Sequence, residues 1–78
     1  MPKRIRIGSI TFQTTNATLN TAFSPFGTLT SCNVILDAAG GPTGTAEAEY
    51  TTDAAAASAA ASMNGATLDG AVISVVQG

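Results

Sequence analysis

The chain has 78 residues, enough for one small domain and no more. A single cysteine and the absence of histidine exclude an internal disulfide framework, a structural zinc site and any histidine-based nucleophilic relay. Only 10% of the residues are charged and the net charge is −2, a balance that argues against tight, charge-driven binding to nucleic acid.

The start, M-P-K-R-I-R-I, carries basic residues without a long apolar stretch, so it does not read as a secretory signal. No apolar run is long enough to span a bilayer as a helix. Ile5 and Ile7 alternate with Arg6 and Gly8, the period of a half-buried strand. Thr15 is placed to cap a helix through its hydroxyl. Leu19, Ala22, Phe23 and Phe26 then fall on one helical face, and Pro25 and Gly27 end that helix. Leu29 to Leu36 is a second strand, with Cys32 and Val34 on one face and Asn33 and Ile35 on the other. Asp37 to Thr43 is a loop by its Gly and Pro content.

Gly44 to Tyr50 alternates strictly, Ala46, Ala48 and Tyr50 inward against Thr45, Glu47 and Glu49 outward. Thr52 caps an Ala-rich helix with Asp53 in its first turn, where a negative charge suits the dipole, and Asn64-Gly65 closes it. Ala56, Ala59, Ala60 and Met63 are the predicted inward positions of this helix. Ala54, Ala55, Ala57, Ser58, Ala61 and Ser62 are the predicted outward ones. Leu68-Asp69-Gly70 makes a turn, and Ala71 to Val76 forms the last strand.

The order β-α-β-β-α-β specifies an α+β, ferredoxin-like sandwich: one four-stranded antiparallel sheet with two helices on one face and the other face open. Small residues at inward positions predict a thin core, since each absent large side chain forgoes roughly 1.5–3 kcal/mol of burial. Catalysis is not expected. Asp37, Glu47, Glu49, Asp53 and Asp69 are scattered over different elements, and Glu47 and Glu49 lie on one strand with no pocket implied. Gly40 to Gly44 lacks the lysine and the following helix of a phosphate-binding loop. Cys32 reads as a small buried hydrophobe.

Five pieces in order carry a family likeness. Ile5 to Ile10 resembles the hexamer consensus of RNA-recognition motifs, and Thr43 to Tyr50 sits where their octamer belongs. Phe23 to Leu29, Met63-Asn64-Gly65 and Leu68-Asp69-Gly70 resemble the same family. Within it, Gly44-Thr45-Ala46-Glu47 and Ser24 to Leu29 are similar to the mRNA export adaptors of the REF/Aly group. That resemblance implies a nuclear domain that contacts mRNA export proteins through its helices and binds single-stranded RNA weakly. It implies no cofactor, metal or membrane partner. Reading RNA requires aromatic rings on the open face, and the three positions that usually carry them are Arg6, Thr45 and Glu47. Any RNA contact would fall on Lys3, Arg4 and Arg6 and on the open-face residues Gly8, Asn33, Thr45 and Glu47. Arg6 has a second reading, as a cross-strand partner of Glu47 or Glu49.

Two further readings stay open. The Ala- and Thr-filled surface suits a designed or simplified sequence on this fold with no biological partner. Ile35, Val72 and Val76 could also give the open face an apolar stripe for self-association.

Overall fold

The computed structural model describes residues 2–78. Strand β1 (Arg4–Gly8) leads to helix α1 (Asn16–Phe23) and a single 3-10 turn (Ser24–Phe26). Strands β2 (Leu29–Leu36) and β3 (Pro42–Tyr50) follow, then helix α2 (Asp53–Met63). The chain ends in three short strands, β4 (Thr67–Leu68), β5 (Ala71–Val72) and β6 (Ser74–Gln77). Four strands form one antiparallel sheet in the order β2-β3-β1-β6.

Both predicted caps are present: Thr15 accepts from the Thr18 N–H and Thr52 from the Ala55 N–H, each at 3.2 Å. Helix α1 stops at Phe23, because Pro25 lacks the N–H to continue it and opens the 3-10 turn instead. Strand β3 begins at Pro42, earlier than its alternation suggested. The Asp37 carboxylate accepts from the Ala39 and Gly41 N–H groups at 2.9 and 2.8 Å, which folds the β2–β3 loop tightly enough for Leu36 to pair with Pro42.

Two predictions need correction. The expected last strand from Ala71 to Val76 is two elements. Ala71 and Val72 pair with Thr67 and Leu68 in a separate hairpin, and only Ser74–Gln77 joins β1. The break is at Ile73, which is buried while its backbone bonds to Ala66 and Gly65. Val72 therefore lies off the four-stranded sheet, and the proposed apolar stripe loses one of its three members. Ala55, expected outward, is buried together with Ala56 and Ala59, whereas Ala60 and Met63 are half-buried.

The burial of Ala55 comes from Gly27. A Cβ on Gly27 would lie 2.6 Å from the Ala55 Cβ, so the segment after α1 can press onto α2 only because Gly27 has no side chain. Gly27→Ala is expected to destabilise the domain by about 1–3 kcal/mol through overpacking. Urea unfolding reads this directly, and an unchanged midpoint would show that α2 can yield without cost.

The core lies between the sheet and both helices. Ile5, Ile7, Leu19, Phe23, Tyr50 and Ile73 are its largest fully buried side chains. The Tyr50 hydroxyl donates to the Phe23 carbonyl at 2.6 Å, a buried bond that ties the end of β3 to the end of α1. The two outer strands are latched from the helix ends. Asn16 at the start of α1 accepts from the Val34 N–H of β2 at 2.7 Å, and Asn64 at the end of α2 accepts from the Val75 N–H of β6 at 3.1 Å. Each latch occupies a strand-edge donor that would otherwise be open to another strand.

Candidate functional site

Alternation along each strand sends one set of side chains into the core and the other onto the uncovered face. With Ala46, Ala48 and Tyr50 buried, Thr45, Glu47 and Glu49 must face outward, as the pattern predicted. The register then aligns residues of neighbouring strands about 4.8 Å apart. Asn33 pairs with Glu47, Glu47 with Arg6, and Arg6 with Val76, giving a row Asn33–Glu47–Arg6–Val76 across all four strands. Thr45, Gly8 and Ser74 form the next row. Arg4 and Glu49 pair on the other side, where Ser31 of β2 completes the line.

Six of the seven candidate residues are thus brought together: Arg4, Arg6, Gly8, Asn33, Thr45 and Glu47. Lys3 is not. It precedes β1, in the parity of Ile5 and Ile7, and its carbonyl accepts from the Tyr50 N–H at 2.9 Å. Arg4 donates through Nε to the Gly78 carbonyl at 3.3 Å.

At the centre, Arg6 Nε stands 3.9 Å from Glu47 Oε1, with the two side chains 65% and 36% exposed. Of the two predicted partners of Arg6, Glu47 is therefore the one it meets. Glu49 accepts instead from the Thr30 hydroxyl at 3.2 Å. Because cation and anion sit side by side, the middle of the face offers phosphates little net attraction. Thr43, Thr45 and the Ile35 carbonyl form a short hydroxyl chain, with Thr43 Oγ1 at 2.8 Å from each of the other two oxygens. A shallow groove of about 400 Å³ runs beside the pair; Arg6, Gly8, Ile35, Thr45, Glu47 and Val76 are among its lining residues.

Cys32 is on the core side of β2, where burial pushes its thiol up from the ordinary value. It is a poor nucleophile at neutral pH for that reason. Burial, with a smaller contribution from Cys32, pushes the Tyr50 hydroxyl up to about 12, so it remains a hydrogen-bond donor to Phe23 throughout the neutral range.

One exposed aromatic was not singled out in the sequence. Phe12, in the β1–α1 loop, is 78% exposed. The Ile10 N–H donates to the Gly44 carbonyl at 3.0 Å, holding the start of this loop at the end of the sheet where Gly8 and Thr45 lie. Its only signal was an aromatic set among polar residues, T-F-Q-T-T, without a periodic partner to place it in the core.

A family model, the RNA recognition motif, matches residues 5–74. The chain belongs to the RNA recognition motif family. The RRM is 38% identical over 74 residues to the maize "Organelle RRM domain-containing protein 1, chloroplastic", and equally so to a rice protein of the same name. The match covers 94% of this chain but 19% and 18% of those proteins, so the chain spans about a fifth of their length.

Among solved structures, the second RRM domain of the yeast poly(U)-binding protein superposes with a TM-score of 0.88 at 25% identity, covering 96% of this chain and 92% of that one. The Rna15 RRM with bound RNA (GU) superposes with a TM-score of 0.87 at 22% identity, covering the whole of this chain and 84% of that one. The second likeness is one of fold. An RRM is an RNA-binding type of module.

Proposed function

We propose that this RRM binds single-stranded RNA weakly, through polar side chains and exposed backbone on the open sheet face rather than by base stacking. The observation that carries this reading is the central row Asn33–Glu47–Arg6–Val76, which contains no aromatic ring and neutralises its own charge. Stacking on an aromatic side chain is worth about 1–3 kcal/mol per base, and the three positions that would supply it hold an arginine, a threonine and a glutamate. The RNA-bound Rna15 neighbour and the family itself support single-stranded RNA as the ligand class.

Arg6 is largely solvated, so its loss costs little. Arg6→Ala is expected to change affinity for mixed-sequence single-stranded RNA by less than about tenfold. Fluorescence anisotropy at low salt measures this, and a larger loss would make Arg6 the main anchor and overturn the reading.

Protein contact through the helices keeps one supporting observation. Ala17, Thr18, Thr21 and Ala22 of α1 and Leu68 of β4 line a shallow depression of about 410 Å³ on the covered side of the sheet. The REF/Aly resemblance, with the export partners and nuclear location it implies, rests on two short stretches, Gly44-Thr45-Ala46-Glu47 and Ser24 to Leu29. The two curated relatives are named as chloroplast RRM proteins. Their 38% identity also supports natural descent over a designed origin.

A further inference from the structure

Arg6 and Glu47 form an incomplete pair. Their nearest atoms, 3.9 Å apart, are beyond hydrogen-bond reach, and among the described residues neither head group has another partner. A carboxylate only accepts and a guanidinium only donates, so the two present two acceptor oxygens beside a fork of donors, pointing into solvent at the middle of the sheet. Beside them the groove has an aliphatic residue on each outer strand, Ile35 and Val76, and a glycine, Gly8, between. A flat heterocycle lying in this groove meets apolar surface along its face and the pair along its edge.

Of the four RNA bases, guanine matches that edge most fully. Its N1–H and N2–H are adjacent donors that a carboxylate accepts together, and its O6 beside them accepts from a guanidinium. Adenine and cytosine each offer one exocyclic amine next to a ring nitrogen whose lone pair faces the carboxylate. Uracil offers one N–H between two carbonyl oxygens. The negative charge of Glu47 also disfavours phosphate at this point, so a nucleotide enters base first.

We infer that the groove is a single-nucleotide subsite selective for guanine in single-stranded RNA, with Glu47 determining the specificity and Arg6 donating to O6. The inference rests on the reading that the open face binds RNA.

The test uses four uridine-hosted pentamers with G, A, C or U at the centre, titrated at low salt into the chain and into its Glu47→Gln variant and followed by amide proton–nitrogen spectra. The chain binds the G pentamer about fivefold or more tighter than the others, the low end of discrimination by a bidentate base contact. Glu47→Gln removes a negative charge, so it binds the A, C and U pentamers at least as tightly, while its preference for G falls below about twofold. These two changes have opposite signs, which a merely structural role for Glu47 does not produce. Equal binding of all four pentamers by the chain, or an undiminished G preference in the variant, overturns the guanine subsite and leaves RNA binding standing. Absence of binding to any pentamer overturns both.

Discussion

Phe23→Ala is expected to leave most of the chain unfolded at room temperature. Phe23 has no exposed surface, and removing a buried Phe costs about 3–5 kcal/mol in lost transfer energy and residual cavity. The protein has little with which to offset that loss. Among the described residues, five of the thirteen buried apolar ones are alanines, at positions 46, 48, 55, 56 and 59, and small domains lie toward the lower end of the usual 5–15 kcal/mol of stability. The backbone carbonyl of residue 23 that receives the Tyr50 hydroxyl is retained in the variant, so the loss is one of packing. Phe23→Leu retains most of the volume and remains folded, with a smaller loss. Circular dichroism during thermal unfolding distinguishes the two variants. A melting temperature for Phe23→Ala within a few degrees of the parent would mean that α1 contributes little to the core.

The second large effect is a gain. Thr45→Tyr combined with Glu47→Phe restores rings at the two octamer positions and is expected to raise affinity for single-stranded RNA by about 30-fold or more, from about 1–3 kcal/mol per stacked base. Both positions point away from the core, so the fold tolerates the change. Removing Glu47 also removes repulsion toward phosphate and leaves Arg6 free to pair with it. New rings beside Ile35 and Val76 enlarge an apolar surface, so sedimentation must show that the variant stays monomeric before anisotropy is interpreted. A monomeric variant with affinity within threefold of the parent would show that missing rings are not what limits binding.

The sequence carried much of this. Strict alternation from Thr45 to Tyr50 placed each of those six side chains on its observed face, and Thr15 and Thr52 marked both helix starts. Arg6 was expected to pair across strands with Glu47 or Glu49, and only the β1–β3 register selects Glu47. What it did not carry was tertiary. Nothing local to Ala71–Val76 indicates that the Ile73 backbone bonds to the chain just after α2 rather than to β1. Ala55 is one small residue among several in its helix, and its burial is decided by the distant Gly27. The latches from Asn16 and Asn64 join residues that only the folded sheet brings together. Gly8, Ile35 and Val76 become one groove only once the strand order β2-β3-β1-β6 is known.

The central claim is that the open face binds RNA, weakly, without stacking. Its most direct test is an amide proton–nitrogen correlation spectrum of the labelled chain during titration with mixed-sequence single-stranded RNA at low salt. The account predicts that Arg6, Asn33, Thr45 and Glu47 shift together in fast exchange and approach saturation only near or above about 10⁻⁴ M, the weak end of non-specific nucleic-acid binding. Saturation at micromolar RNA would contradict the weakness, and a well-dispersed spectrum in which these four peaks stay in place would contradict the site.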